Sequence, residues 1–219
     1  SNMKEKFAHI LDLIIKPKGN ISVDGFISGK CSDKILKKIS FDASLPNDGT
    51  KQFIIENKVG KIIIKDFFNY DKIIYQDIID YKCDPEFDIC YYFGTQNKND
   101  KPHRNSQLWH HDSVGHRLKL FIALNSGWTT FFLKKSHFNK NLFNSSLSKE
   151  ERIKLSETMN HDKNAIRIDL KKCDWVIFDT NAFHKGHVEP NYSGEIIAFE
   201  FSNKYKKSWM GKVGNREVL

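Results

Sequence analysis

The stretch Arg117-Leu118-Lys119-Leu120-Phe121-Ile122-Ala123-Leu124 alternates between two kinds of side chain. Successive side chains of a β-strand point to opposite faces of a sheet, so this alternation predicts a strand. The even-numbered positions form a wholly apolar face. The odd-numbered positions place Arg117 and Lys119 beside Phe121 and Ala123, which predicts a second face that carries two cations.

Short segments rich in β-branched and aromatic residues occur on both sides of this stretch. Together with it, the predicted strands are Phe53–Ile55, Lys61–Ile64, Phe87–Tyr92, Leu108–His110, Arg117–Leu124, Thr130–Leu133, Ala165–Ile168, Trp175–Phe178 and Glu195–Ser202. Turn residues separate these strands at short intervals, which is typical of a β-sandwich or a jelly roll. The chain is therefore predicted to be mainly β.

Three helices are predicted to flank the strands. Asp71 is followed by Ile at positions 73, 74, 78 and 79, an apolar face at helical spacing behind an N-cap, and Ser32 begins a weaker pattern of the same kind. The stretch Ser148-Lys149-Glu150-Glu151 matches the capping box, in which a Ser and a Glu satisfy two backbone amides at a helix start. This third helix is predicted as an insertion among the strands, near residues 147–159.

Length and composition predict one domain over residues 1–219. A chain of 219 residues with 39% hydrophobic content can bury one sizeable core. No apolar run reaches about 18 residues, so no membrane span is predicted. Residues 1–3 read as a tag remnant with no apolar signal segment behind them, and we expect a cytoplasmic protein. The four Cys residues show no CxxC spacing and are expected to be reduced, buried thiols.

The formal net charge of +8 is compatible with a polyanionic partner. However, only five of the 35 basic residues are Arg, the residue on which phosphate and base recognition usually depends. The Lys residues are also scattered along the chain. A solvated basic surface is therefore the favoured interpretation, and nucleic-acid binding is ranked last among the functions considered.

A His-x-Asp pattern in Leu108-Trp109-His110-His111-Asp112-Ser113 provides the first candidate metal ligands. Side chains at i and i+2 of an extended segment project to the same side, so His110 and Asp112 can approach one ion. Downstream, the stretch Cys173–Asp179 is followed after four residues by His184. Two His and one carboxylate would leave three positions of an octahedral metal open, which is the arrangement of non-haem Fe(II) oxygenases.

Other His residues are alternatives to these ligands. His187 stands in a His-x-x-His pattern with His184 that would suit zinc, and in a His-x-Glu pattern of its own. His111 and His116 are expected to lie beside the site or on the surface. His137 is expected in a turn that ends a strand.

Three blocks, in this order, resemble the phytanoyl-CoA dioxygenase family of Fe(II)/2-oxoglutarate oxygenases. The blocks are Trp109-His110-His111-Asp112, Thr129–His137 behind the strand Arg117–Asn125, and Cys173–His184 with Asn191 behind it. The resemblance covers roughly residues 85–202.

This resemblance implies a double-stranded β-helix, a cupin-like jelly-roll barrel, over about residues 85–202. The part of the chain before it, about residues 4–84, mixes helix and strand signals and is predicted to be an α/β segment packed on the barrel. The resemblance also implies that His110, Asp112 and His184 bind Fe(II) in the mouth of the barrel and that 2-oxoglutarate is the co-substrate. Relatives that halogenate lack the carboxylate. The retained Asp112 therefore favours hydroxylation, or a related oxidation, of a small-molecule substrate by O2.

The chain departs from the family where 2-oxoglutarate is normally anchored. About eleven residues beyond the third ligand the family has an Arg, and here the sequence reads Gly194-Glu195-Ile196-Ile197-Ala198. A buried carboxylate needs a cationic partner, and Lys119, with Arg117 beside it, is a candidate because related oxygenases use a Lys on an early strand. An ion pair between Lys119 and Glu200 is an equally favoured alternative. Trp128 falls where a family member has an aromatic residue near the co-substrate, although a Trp in such a strand is more often part of the core.

Two functions of different classes are consistent with these residues. An Fe(II)/2-oxoglutarate-dependent dioxygenase would bind 2-oxoglutarate and convert it to succinate. A non-catalytic jelly-roll binding module that had lost the anchor would do neither. The excess of basic over acidic residues is compatible with an anionic substrate. No recognisable motif specifies the substrate or the oligomeric state.

Overall fold

The computed structural model describes residues 14–39, 44–98, 105–112, 117–138 and 147–203, together with a few positions before residue 14. The helices are α1 (Ile21–Asp24), α2 (Asp33–Lys37), α3 (Asn57–Tyr70), α4 (Lys72–Asp80) and α5 (Lys149–Met159). The strands are β1 (Phe26–Lys30), β2 (Gly49–Ile54), β3 (Ile89–Gln96), β4 (Arg117–Ala123), β5 (Trp128–Leu133), β6 (Ala165–Leu170), β7 (Asp174–Asp179), β8 (His184–His187) and β9 (Ser193–Ser202). Two 3-10 helices cover Asn105–Gln107 and Ser136–Phe138.

The strands form two antiparallel sheets. The large sheet has six strands in the order β1-β7-β4-β9-β3-β2, and the small sheet has three in the order β6-β5-β8. In the large sheet β4 lies between β7 and β9, so that Leu120 is paired with both Ile177 and Phe199. The prediction of a mainly β chain with flanking helices is confirmed.

The large sheet separates two apolar clusters. On one side Leu118 and Leu120 belong to a cluster that also contains Phe67 of α3 and Ile78 of α4, so these helices cover the outer face of the sheet. On the other side the cluster contains residues of both sheets, among them Phe132 of β5. Each fully buried large apolar side chain stabilises the fold by about 1.5–3 kcal/mol. The even-numbered face of β4 therefore packs on the helices, and its mixed face points between the two sheets.

The segment Lys61–Ile64 lies in the middle of helix α3, so the predicted strand there is wrong. Its run of Ile residues favours a strand by propensity, but Ile63, Ile64 and Phe67 are buried while Ile62 is 50% exposed. Burial thus recurs every three to four residues, the period of a helix. The apolar face that packs on the large sheet outweighs the intrinsic preference of Ile.

Three further segments differ from the predicted strands. Leu108–His110 contributes one isolated bridge, between His110 and His184, rather than a strand. The strands β1 and β8 were not predicted. β8, His-Lys-Gly-His, is polar and four residues long, and β1 includes a Gly, so neither has a recognisable apolar pattern.

The predicted helix starts are confirmed. The Ser32 hydroxyl accepts a hydrogen bond from the Lys34 amide, and the Asp71 carboxylate accepts from the Ile73 and Ile74 amides. Helix α5 is inserted between β5 and β6, as predicted. All four Cys residues fall in the described residues, where they are buried and form no disulfide. None of the helices in the described ranges is long and apolar enough to cross a membrane.

The capping box at the start of α5 gives a first testable prediction. Ser148 Oγ accepts from the Glu151 amide at 3.2 Å, and Glu151 Oε2 accepts from the Ser148 amide at 2.7 Å. Ser148→Ala is expected to lower the free energy of unfolding by about 1 kcal/mol, measured by urea denaturation, because the Glu151 amide loses its acceptor while the backbone amide of residue 148 keeps Glu151 Oε2. Glu151→Gln, which keeps an acceptor, is expected to change it by less, and equal losses in the two variants would contradict the capping role.

Candidate metal centre

The three predicted ligands lie side by side in the structure. His110, Asp112 and His184 each offer a donor atom, and these atoms all lie within 4.8 Å of one another. His110 Nε2 is 3.7 Å from Asp112 Oδ1, and the ring centroids of His110 and His184 are 4.4 Å apart. Within the described residues, no other group of three His, Cys, Asp or Glu side chains is close enough to hold a metal.

Backbone pairing explains why these distant residues meet. The His110 amide donates to the His184 carbonyl at 3.0 Å, and the His184 amide donates to the His110 carbonyl at 2.8 Å. The Asp112 amide donates to the Thr180 carbonyl at 2.8 Å. The segment that carries the His-x-Asp pattern therefore continues the small sheet beyond β8.

Both imidazoles are oriented to offer Nε2 to an ion. His110 Nδ1 donates to the Leu108 carbonyl and His184 Nδ1 donates to the Ala182 carbonyl, both at 2.7 Å. A carbonyl can only accept, so the proton is on Nδ1 and the lone pair of Nε2 is available. Burial, helped by the neighbouring imidazole, lowers the pKa of His110 to about 3, and burial lowers that of His184 to about 4. Both rings are therefore neutral at neutral pH, the form that binds metals.

The carboxylate of Asp112 is ionised and held by cations. Lys119 Nζ donates to Asp112 Oδ2 at 2.6 Å, and an Arg117 terminal nitrogen is 3.5 Å from the same oxygen. Burial alone would raise the pKa of Asp112, but the charge of Lys119, with the nearby imidazoles and Arg117, holds it well below its usual value. Oδ1 is the oxygen that faces His110. Two neutral imidazoles and one ionised carboxylate are a donor set that fits a divalent metal ion.

Lys119 also belongs to a buried network of ion pairs. On the paired strands β4 and β9, Lys119 lies opposite Glu200. Glu200 is only 1% exposed, and its carboxylate is 3.5 Å from Lys119 Nζ and 3.4 Å from an Arg117 nitrogen. The ion pair considered in the sequence analysis is therefore present. Lys119 also lines the cavity described next, where a co-substrate anchor would have to lie.

A cavity of about 260 Å³ lies in front of the three ligands. Its buried wall includes Tyr91, Lys119, Trp128, Thr130 and Ile196. Its partly exposed wall includes Gln52, Gln107, Arg152 and His187. The indole of Trp128 donates to Thr130 Oγ1 at 3.0 Å and is also packed in the apolar cluster between the sheets, so Trp128 is both a core residue and part of the cavity wall. The cavity can hold a small molecule against the candidate metal site.

Where the structure describes them, the other candidate His residues lie outside the ligand set. His187 lines the cavity, but its Nε2 lies 3.3 Å from Glu189 Oε1. The His111 ring packs against Phe183, and its Nδ1 is bonded to the Asp112 carbonyl. His137 lies in the 3-10 helix that follows β5, as expected, and His116 is outside the described residues.

Arg152 is a cavity residue that the sequence analysis missed. It lies in the first turn of α5, and its Nε donates to the Leu147 carbonyl at 3.2 Å. Burial lowers the pKa of its guanidinium, which nevertheless stays charged at neutral pH. The prediction of an inserted helix was the only signal that could have drawn attention to it, because the sequence does not show which side of that helix faces the cavity.

No protein-family model matches the chain, and no curated protein matches it. Several solved structures share its fold. HygX from Streptomyces hygroscopicus, with nickel, 2-oxoglutarate and hygromycin B bound, is 10% identical, with a TM-score of 0.55 over 84% of this chain and 85% of that chain. EvdO2 from Micromonospora carbonacea var. aurantiaca, complexed with 2-oxoglutarate, is 14% identical, with a TM-score of 0.56 over 83% and 87%. SnoK, a non-haem alpha-ketoglutarate-dependent carbocyclase from nogalamycin biosynthesis, is 8% identical, with a TM-score of 0.54 over 91% and 90%. At such identities the similarity is one of fold, and the fold is one that has been solved with a divalent metal and 2-oxoglutarate bound.

Proposed function

We propose that this protein is a non-haem Fe(II)/2-oxoglutarate-dependent dioxygenase that oxidises a small-molecule substrate. The observation that carries the proposal is the convergence of His110, Asp112 and His184, with their donor atoms within 4.8 Å of one another at the wall of a cavity. The fold shared with HygX and EvdO2 supports the same class of enzyme.

The proposed architecture is a single jelly-roll domain over residues 1–219, of the double-stranded β-helix type found in the phytanoyl-CoA dioxygenase family. Two antiparallel sheets that share an apolar cluster support this assignment. The bridge between His110 and His184 supports it further, because it adds the His-x-Asp segment to the edge of the small sheet.

In this proposal His110 Nε2, His184 Nε2 and Asp112 Oδ1 hold Fe(II). A bound Fe(II) would supply a site for activating O2, which is the oxidant; 2-oxoglutarate would provide two electrons in becoming succinate and CO2, and the substrate would provide the other two. The chain orients the donors: the Leu108 and Ala182 carbonyls hold the two rings, and Lys119 holds Asp112 Oδ2 so that Oδ1 is presented to the ion. The retained Asp112 supports hydroxylation, or a related oxidation, over halogenation.

Lys119 is the proposed anchor for the distal carboxylate of 2-oxoglutarate. A metal ion on Asp112 would share the charge of that carboxylate and leave Lys119 able to pair with another anion in the same cavity. Arg117, which is paired with Glu200 and does not appear among the described cavity-lining residues, would add positive charge behind Lys119. Trp128 would form the wall beside the co-substrate. At the partly exposed wall the charge of Arg152 supports an anionic substrate.

The proposal is tested by titrating the Fe(II)-loaded protein with 2-oxoglutarate in the absence of O2. Chelation of the iron by the 2-oxo acid is expected to produce a visible absorption band, and addition of O2 is expected to yield succinate. Protein that binds Fe(II) but shows neither band nor succinate would instead be a non-catalytic binding module. One observation favours that alternative: Ile196, in the region where the family has its anchoring Arg, lines the cavity.

Lys119→Ala is expected to weaken 2-oxoglutarate binding by about 10- to 100-fold, because a charge-assisted hydrogen bond contributes about 1.5–3 kcal/mol. Fe(II) affinity is also expected to fall, by about 10-fold, because Lys119 orients the ligand Asp112, although the three ligands remain and Arg117 still lies beside Asp112; 2-oxoglutarate is therefore titrated at saturating Fe(II). Both constants can be measured by anaerobic titration. Lys134→Ala, which removes an exposed Lys paired with Asp24, is the matched control. Unchanged 2-oxoglutarate affinity in Lys119→Ala would exclude Lys119 as the anchor and make Arg152 the next residue to test.

A further inference from the structure

The turn between β7 and β8 positions two of the three proposed ligands. The Thr180 carbonyl accepts the Asp112 amide at 2.8 Å. The Ala182 carbonyl accepts His184 Nδ1 at 2.7 Å. Any rotation of this turn would therefore change the direction of Asp112 and of the His184 ring together.

Asp179 closes this turn. Its Oδ1 accepts the Asn181 amide at 2.8 Å, and its backbone carbonyl accepts the Ala182 amide at 3.0 Å. Its side chain is fully buried. A buried carboxylate must be satisfied by hydrogen-bond donors, so the groups that donate to Asp179 determine the orientation that its side chain can hold.

One of these donors comes from a distant part of the chain. The Tyr81 hydroxyl donates to Asp179 Oδ2, and Tyr81 is itself fully buried at the end of helix α4. The Tyr81 amide donates to the Asp77 carbonyl at 3.0 Å, and its ring belongs to the apolar cluster that includes Ile78. Because backbone and ring are both held, the hydroxyl is a fixed point against which the turn is placed.

We propose that Tyr81, acting through Asp179, is a positioning residue of the metal centre. The path runs from the Tyr81 hydroxyl to the Asp179 carboxylate, then through the turn to the Thr180 and Ala182 carbonyls, and from these to Asp112 and His184. The N-terminal part of the chain, which carries no recognisable motif, thereby sets the geometry of the proposed ligands. This inference rests on the metal site proposed above.

The test compares two variants that each lose one buried Tyr hydroxyl. Tyr81→Phe removes the donor to Asp179. Tyr92→Phe is the matched control, since Tyr92 is also fully buried and its hydroxyl donates to Glu195 at 2.6 Å, on the helix-covered side of the large sheet. Both variants are expected to lose similar amounts of stability. A difference between them in metal binding would therefore report a change in the position of the ligands and not a general loss of folding.

Co(II) is the probe for the metal site, because its visible spectrum reports ligand geometry as well as binding. Tyr81→Phe is expected to weaken Co(II) binding by about 3- to 10-fold, below the 10- to 100-fold that is typical of groups bonded directly to a ligand. Its Co(II) absorption spectrum is expected to differ from that of the wild type, whereas Tyr92→Phe is expected to match the wild type in both measurements. Asp179→Asn, which keeps the acceptor for the Asn181 amide but removes the charge, is a second variant expected to change the spectrum.

Amide hydrogen exchange, measured on the metal-free protein, tests the role of Tyr81 independently of the proposed function. In Tyr81→Phe the amides of Asp112, Asn181 and Ala182 are expected to exchange with solvent deuterium at least about fivefold faster than in Tyr92→Phe, because the turn opens locally. Wild-type Co(II) affinity, Co(II) spectrum and exchange rates in Tyr81→Phe would overturn the inference, as would equal changes in the two Phe variants. If the wild-type protein itself binds no metal, the proposed function fails, and amide exchange alone decides whether Tyr81 holds the turn.

Discussion

His184→Ala is expected to remove 2-oxoglutarate turnover and to lower Fe(II) affinity by at least about 100-fold. Loss of a group that merely orients a ligand costs 10- to 100-fold in metal affinity, and here a donor atom itself is lost. The variant also loses the hydrogen bond to the Ala182 carbonyl but keeps the backbone bridge between positions 110 and 184. Anaerobic Fe(II) titration, with the visible band of the 2-oxoglutarate complex as a second readout, measures the effect.

His187→Ala is the matched control for this experiment. His187 is on the same strand as His184 and lines the same cavity, but its Nε2 is beside Glu189 rather than among the proposed ligands. His187→Ala is expected to leave Fe(II) affinity within about threefold of the wild-type value. The larger losses are expected only for a ligand or for a group that orients a ligand, and His187 is neither. A large loss in His187→Ala together with wild-type binding in His184→Ala would identify a different set of ligands.

Glu200→Ala is expected to destabilise the protein by about 3–5 kcal/mol, the cost of removing one partner from a buried ion pair. Glu200 is 1% exposed and interacts with both Arg117 and Lys119. Without it, Lys119 and Arg117 would both depend mainly on the carboxylate of Asp112. Urea denaturation of the metal-free variant measures the loss.

Glu189→Ala provides the comparison for Glu200→Ala. Glu189 also accepts from an Arg, Arg167, but both side chains are 45% exposed. Solvent screens such a pair, so its loss is expected to cost less than about 1 kcal/mol. A cost for Glu200→Ala as small as that for Glu189→Ala would show that the buried network contributes little to stability.

The periodicity of the sequence was sufficient to predict strands where one face of a segment is uniformly apolar, and β4 is the clearest case. It failed at Lys61–Ile64, where Ile residues favour a strand by propensity but occupy a helix that packs on the large sheet. It also failed at β8, because a strand of four polar residues at a cavity has no apolar face to detect. In both segments the structure was decided by contacts with distant parts of the chain and not by the local preference of the segment.

The candidate ligands could be named from the sequence because spacing alone brings His110 near Asp112, and the family resemblance added His184. The sequence suggested the ion pair between Lys119 and Glu200, but not that Lys119 also holds Asp112. Tyr81 could not be predicted, because it is separated from the ligands by many residues and only the packing of α4 brings it close to Asp179.

The sequence alone determined the mainly β class and the helix starts at Ser32, Asp71 and Ser148, because these depend on residues that are close together in the chain. It also supplied the three candidate ligands, because they fall in blocks whose order resembles that of a known family. Tertiary structure decided that the mixed face of β4 points into the cavity, that Lys119 is shared between Asp112 and Glu200, and that Arg152 reaches the same cavity from α5. These features depend on which surfaces are buried against each other. Burial is a property of the whole folded chain and cannot be assigned from any single segment.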